Sequence, residues 1–76
     1  MKKATCRHLR GACDIEIFGE TPEEMGANCR QHVMEMMHAG DAEHKAAVDA
    51  MMQLSKEEQE AWYEGFKKGF DALEDA

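Results

Sequence analysis

The chain lacks most of the sequence features that identify enzymes, secreted proteins and membrane proteins. Its 76 residues include one proline and one tryptophan, and only 7% are aromatic. There is no glycine-rich phosphate loop, no Gly-x-Ser-x-Gly nucleophile motif and no Cys-x-x-Cys pair, so we predict that the protein is not an enzyme. No apolar run is long enough to span a bilayer or to form the core of a signal peptide, and we predict no membrane association.

Cysteine is scarce and occurs an odd number of times, three in all. Small secreted domains are usually cross-linked by paired cysteines, whereas free thiols are typical of a reducing compartment. We therefore predict a cytoplasmic protein.

Basic residues are outnumbered by acidic ones, 9 to 16, which gives a formal net charge of −7. The distribution is uneven, because residues 1–10 contain four basic and no acidic side chains. Binding to nucleic acid requires an extended cationic face, and this basic segment is too short to supply one. We predict that nucleic acid is not a partner.

A β-hairpin is predicted at the start of the chain. Residues 3–8 and 13–19 have the composition of short strands and flank a turn at 9–12. In the second strand Cys13, Ile15 and Ile17 occupy alternate positions, the pattern of a half-buried strand, and both isoleucines should point into the core. An isolated hairpin is only marginally stable, so a helix should cover it.

The first helix has a clear start at Thr21-Pro22-Glu23-Glu24. Thr at the N-cap, Pro at the first helical position and Glu two positions later form a capping box. A stripe of side chains then follows at helical spacing: Met25, Cys29, His32, Val33, Met36 and Met37. The stripe should direct His32 towards the hairpin, and Gly40 is the expected terminator.

Two more helices are predicted after Gly40. Asp41 is the candidate cap of the second, whose apolar side comprises Ala47, Val48, Met51, Met52 and Leu54. Ser55-Lys56-Glu57-Glu58 is a second capping box, and the third helix carries the stripe Trp62, Phe66, Phe70 and Leu73. We predict one α+β domain over 1–76, with a hairpin and helix in 1–40 and a helical hairpin appendage in 41–76.

Cysteines and a histidine are predicted to meet where the hairpin contacts the first helix. Cys6 and Cys13 lie on neighbouring strands, about 4.8 Å apart, and His32 faces them. Thiolate and imidazole are the ligands that structural zinc prefers, in sets of four. The spacing therefore predicts three of the four ligands of a zinc site.

The fourth ligand remains open between His38, Cys29 and water. Six residues separate His38 from His32, so a regular helix places the two about 120° apart. Cys29 lies one turn before His32 on a better face, although buried cysteine commonly acts as a small apolar residue. We expect His8 and His44 on the surface.

Three alternatives compete with a zinc site. Seven methionines, among them Met34, Met36 and Met37, raise the possibility of Cu(I), which prefers soft sulfur ligands. Cys6 and Cys13 could instead form a redox-sensitive disulfide. Without any metal, the protein would be an interaction module that docks a protein partner or a second copy through Trp62, Phe66 and Phe70.

Four short segments resemble a known family. They are Thr5-Cys6, Gly11-Ala12-Cys13-Asp14, Gly19-Glu20-Thr21-Pro22-Glu23-Glu24-Met25 and His32-Val33. The family consists of small bacterial proteins of unknown function, labelled in places as predicted small metal-binding proteins. The resemblance covers roughly residues 3–38.

This resemblance implies two cysteines and two histidines as metal ligands. Cys6, Cys13 and His32 stand at matching positions, whereas the family's second histidine would fall on Met37. His38 follows one place later and is our predicted fourth ligand.

Overall fold

Three antiparallel strands and three helices make up the structure, a computed structural model that describes all 76 residues. In chain order they are β1 (Lys2–Thr5), β2 (Glu16–Gly19), α1 (Pro22–His38), α2 (Ala42–Met52), α3 (Lys56–Gly69), a 3-10 turn (Phe70–Ala72) and β3 (Glu74–Asp75). The predicted α+β class, with an N-terminal hairpin followed by three helices, is confirmed.

The hairpin is shorter than predicted. β1 and β2 pair only from Lys2↔Gly19 to Thr5↔Glu16, so Cys6 and Cys13 lie in the long connection and not on the strands. Ile15 also precedes β2 and is 51% exposed, which makes its predicted inward position wrong. Ile17, inside the ladder, is buried as expected.

The sheet has a third strand that the sequence pattern did not reveal. β3 pairs with β1 through Lys2↔Asp75 and Lys3↔Glu74, so β1 is the central strand. An ion pair of 2.8 Å between Lys2 Nζ and the Asp75 carboxylate lies on this edge. The α-helix ends at Gly69, before the chain returns to the sheet. Phe70 and Leu73, predicted on the stripe of the third helix, therefore lie beyond that helix.

Side chains cap the three helices at the predicted positions. The Thr21 hydroxyl accepts the Glu24 N–H at 3.1 Å, but the Glu24 carboxylate accepts the N–H of Glu20 in place of that of Thr21. At α3 the box between Ser55 and Glu58 is complete. These caps satisfy amide groups that would otherwise lack a partner at the helix start.

The core lies between the sheet, α1 and the connection between β1 and β2, residues 6–15. Five apolar residues are buried there: Cys6, Leu9, Ile17, Met25 and Phe70. Phe70 is only 4% exposed and therefore ties the C-terminal segment to the hairpin. A partner that docked on α3 would have to use Trp62 and Phe66, which are half-buried.

The chain reverses direction between α1 and α2. Gly40 has φ +88°, in the left-handed region that glycine adopts without strain, and it follows α1 as predicted. α2 then packs beside α1, although Met52, expected on its apolar side, is 73% exposed. None of the helices combines the length and apolarity needed to cross a membrane.

Candidate metal centre

The two cysteines of the predicted site are held next to each other by backbone hydrogen bonds. Cys6 N–H donates to the carbonyl of Ile15 at 2.9 Å, and Arg7 N–H donates to the carbonyl of Cys13 at 2.8 Å. The connection then curls back, since Leu9 and Gly11 donate to the carbonyl of Cys6. The loop thus presents two thiols on one side without any strand pairing at those residues.

Gly11 lies directly against Cys6. A Cβ atom at this position would overlap Cys6 Sγ and lie 2.8 Å from the Cys6 carbonyl oxygen. The close approach of the two backbones therefore requires glycine. This contact is a structural reason for the glycine in the Gly11-Ala12-Cys13-Asp14 segment.

His32 reaches the thiols from α1. Its Nε2 lies 3.2 Å from Cys13 Sγ, and the ring is half-buried. The capped start of α1 at Thr21 and the packing of Met25 in the core set the rotation of the helix. The predicted inward orientation of His32 is thereby confirmed.

His44 is the second histidine at the site, and it comes from α2. Its Nε2 lies 3.7 Å from Cys6 Sγ, and its ring meets that of His32 edge to face with centroids 5.2 Å apart. The residue is only 1% exposed, so the expectation that it lies on the surface is wrong.

Asp41 contacts the His44 ring at Nδ1, the nitrogen that does not face Cys6. Oδ2 of Asp41 is 2.9 Å from His44 Nδ1, and Oδ1 accepts the N–H of Glu43 at 2.9 Å. The hydrogen bond from His44 is the main reason that the pKa of Asp41 lies below its usual value. Since a carboxylate only accepts, Nδ1 carries a proton in this contact, and Nε2 is the ring nitrogen that faces Cys6.

The four ligand atoms together suit a tetrahedral metal ion. Four possible ligand atoms lie within 4.8 Å of one another, one each from Cys6, Cys13, His32 and His44. The ligands of tetrahedral zinc, at bond lengths of 2.0–2.3 Å, are about 3.5 Å apart. The Cys13–His32 and Cys6–His44 distances of 3.2 and 3.7 Å lie on either side of that value.

The predicted fourth ligand, His38, is outside this group. His38, the last residue of α1, is exposed and lies on another side of the helix. α1 is helical up to His38, so His32 and His38 keep the angular separation of about 120° expected on a regular helix. His8, as expected, is exposed.

Cys29 is close to the cluster without belonging to it. It packs against the core, and burial, followed by the nearby Cys6 thiol, raises its pKa to about 11. Cys29 therefore stays a protonated thiol at neutral pH. Burial also raises the pKa of Cys13, but there the backbone N–H of Ile15 acts in the opposite direction.

The sequence contains one signal for His44 that the spacing argument did not use. Asp41 is a cap candidate three residues earlier, and a cap at that position can reach both the helix amides and a side chain in the first turn. An Asp-x-x-His at a helix start is consistent with an oriented histidine. Which histidine completes the cluster nevertheless depends on how α2 packs on α1.

Comparison with family models, with curated proteins and with solved structures finds no significant match to the chain, and its function is therefore inferred from the site.

Proposed function

We propose that this is a small, non-catalytic zinc-binding protein of the cytoplasm, in which the metal stabilises the fold. The observation that carries the proposal is the convergence of Cys6, Cys13, His32 and His44 from three separate parts of the chain. Two thiolates and two imidazoles form a donor set typical of structural zinc.

The composition of the site favours a structural role over a catalytic one. Catalytic zinc usually has three protein ligands and an open position for water, whereas structural zinc has four. Here the chain supplies all four, and Cys6 and His44 are almost completely buried. A reacting molecule would have no vacant coordination position.

Zinc also fits better than Cu(I). Several of the methionines that raised the copper alternative lie in other parts of the fold. Met25 is part of the core, Met34 is 62% exposed, and Met37 and Met51 line a separate cavity. Two of the four donors are imidazoles, so the set is less soft than the sulfur ligands that Cu(I) prefers.

The small core explains why a metal would matter to this fold. Only five apolar residues are buried, and a domain of this size usually needs a cross-link or a metal for stability. Zinc would join the loop after β1, α1 and α2. Its binding free energy would then add to the free energy of folding.

The family resemblance supports the same proposal. The matching segments contain Cys6, Cys13 and His32, and His44 would take the place of the family's second histidine. All three cysteines are free thiols, consistent with a reducing cytoplasm. We accordingly propose membership of that family of predicted metal-binding proteins.

Native mass spectrometry of untagged protein expressed with added zinc tests the proposal. We expect one zinc per chain, lost together with the compact charge states on chelation. Cys6→Ser and Cys13→Ser should abolish stoichiometric zinc. Cys29→Ser is the matched control, because this thiol is outside the cluster, and it should retain one zinc per chain.

A compact, metal-free protein whose melting temperature is insensitive to chelator would overturn the proposal. Full zinc content in both Cys6→Ser and Cys13→Ser would also overturn it.

A further inference from the structure

A large apolar cavity lies between the three helices and residues 9–11 of the β1–β2 connection, and none of the four candidate metal ligands lines it. Its volume is about 960 Å³, and 13 of its 19 lining residues are hydrophobic. Ligand-binding pockets commonly measure about 300 to 1,000 Å³ and are mainly apolar, with a few polar groups that orient the ligand. The cavity falls within that range in a chain of only 76 residues.

The cavity has one flexible wall and one rigid wall. Methionines from α1 and α2, among them Met34, Met37 and Met51, form the first. Trp62 and Phe66 of α3, stacked with centroids 5.8 Å apart, contribute to the second. Methionine adapts to an irregular apolar occupant, and the aromatic faces provide a large fixed contact area.

Two positive charges at the cavity have no partner within the chain. Arg10 and Arg30 both line it, and neither takes part in any of the ion pairs of the structure. Unpaired guanidinium groups beside apolar surface are suited to bind an anionic headgroup.

The other polar groups at the cavity are already accommodated. Gln59 donates to the carbonyls of Met51 and Leu54, both at 3.1 Å. Glu23 lies in the first turn of α1, where the helix N-terminus stabilises a negative charge. Arg10, Arg30 and Glu23 are the charged side chains that line the cavity, and together they leave a net positive charge there.

We propose that this cavity binds a long-chain carboxylate, a fatty-acid anion. The alkyl chain would lie between the methionine wall and Trp62–Phe66, with the carboxylate against Arg10 and Arg30. A second copy of the chain fits less well, since each copy carries a net charge of −7 and the two would repel each other. The proposal goes beyond zinc binding and does not depend on it.

Trp62 provides a direct measurement because it is the only tryptophan and lines the cavity. The zinc-supplemented full-length protein is titrated with dodecanoate below its micelle-forming concentration while Trp62 fluorescence is recorded. We expect a saturable change at one ligand per chain. Dodecanol, which has the same alkyl chain without the charge, should bind at least tenfold more weakly.

Charge variants locate the headgroup. Arg10→Gln and Arg30→Gln should each weaken dodecanoate binding about tenfold and leave dodecanol binding unchanged. Lys56→Gln removes one positive charge at the start of α3, away from the cavity lining, and should bind as the parent does. Zinc content and melting temperature of every variant verify that the fold is retained.

Any of several results would overturn the proposal. These are the absence of saturable binding, equal affinity for dodecanoate and dodecanol, or unchanged affinity in both arginine variants. Tighter binding of dodecyl phosphate than of dodecanoate would reassign the site to a phosphate headgroup. A stable ligand-free dimer that buries Trp62, seen by light scattering and fluorescence, would assign the cavity to a second copy.

Discussion

Asp41 Oδ2 lies 2.9 Å from His44 Nδ1, while the other oxygen of the same carboxylate accepts amide N–H groups at the start of α2. One side chain thus begins a helix and orients a histidine of the candidate metal site. In metal sites, a carboxylate behind a ligating histidine fixes the ring orientation and increases the basicity of the ligand.

Asp41→Asn separates these two functions. Asparagine caps a helix about as well as aspartate, so α2 should remain intact, but the negative charge behind His44 is lost. We expect zinc affinity to fall about 10- to 100-fold, measured by competition with a chromophoric chelator. Glu43→Gln removes a nearby exposed charge that does not contact the ring and should leave the affinity unchanged. Equal affinity of Asp41→Asn and the parent would contradict the orienting role.

The identity of the fourth ligand is tested by a pair of histidine variants. His44→Gln should lose stoichiometric zinc, because it removes a ligand atom from the cluster. His38→Gln alters an exposed ring outside that cluster and should retain one zinc per chain. Zinc content after dialysis distinguishes the two, and loss of zinc in His38→Gln alone would restore the interpretation from the sequence.

Gly11→Ala is expected to disrupt the β1–β2 connection that carries Cys6 and Cys13. The added methyl group would overlap Cys6 Sγ and crowd the Cys6 carbonyl, so the loop must move and the cysteines must separate. We expect weaker zinc binding together with a lower melting temperature. Gly26→Ala, where an added Cβ meets nothing within 4 Å, is the matched control. It should be neutral or slightly stabilising, since alanine favours the helix more than glycine does.

Phe70→Ala tests whether the C-terminal segment is part of the core. Phe70 is 4% exposed, and removal of a buried phenylalanine costs about 3–5 kcal/mol, a large part of the stability of a small domain. Phe18→Ala is the control, because that ring is 40% exposed and its loss should cost much less. Urea unfolding of the zinc-loaded proteins compares the two, and similar midpoints would argue against a buried Phe70.

Stability should depend on pH through the α3 cap. The backbone N–H of Ser55 donates to the Glu58 carboxylate at 3.1 Å, and this contact, followed by the nearby Ser55 hydroxyl, holds the pKa of Glu58 below its usual value. A lowered pKa in the folded state means that the stabilisation is present above the unfolded-state pKa and disappears as the pH falls through the folded-state value. The melting temperature of Glu58→Gln should therefore lie below that of the parent at neutral pH, and the difference should disappear as the pH falls through the folded-state pKa of Glu58. Glu57→Gln, with no hydrogen bond to the cap, should show a smaller dependence on pH.

Much of the fold follows from local sequence signals. Thr21, Asp41 and Ser55 each cap the helix predicted to follow them, because capping chemistry acts over three or four residues. β3 could not be predicted in this way. Its two residues, Glu74 and Asp75, have no apolar alternation and pair with β1 only because the chain turns after Phe70.

The candidate site was predicted in three of its four positions. Cys6, Cys13 and His32 meet because a hairpin connection covered by a helix brings nearby segments together. His44 depends on the packing of one helix on another, which no local pattern encodes. His38 was favoured by its position in the sequence, but a regular α1 directs it elsewhere.

The reversal at Gly40 makes His44 a tethered ligand. Three donors come from the loop and α1, whereas the fourth reaches them only while α2 lies against α1. For the zinc ion we propose, the apparent affinity would be the intrinsic affinity multiplied by the fraction of molecules in which α2 is docked. Changes in the 39–41 linker would alter the effective concentration of the imidazole. They would tune metal retention and release without replacing any ligand.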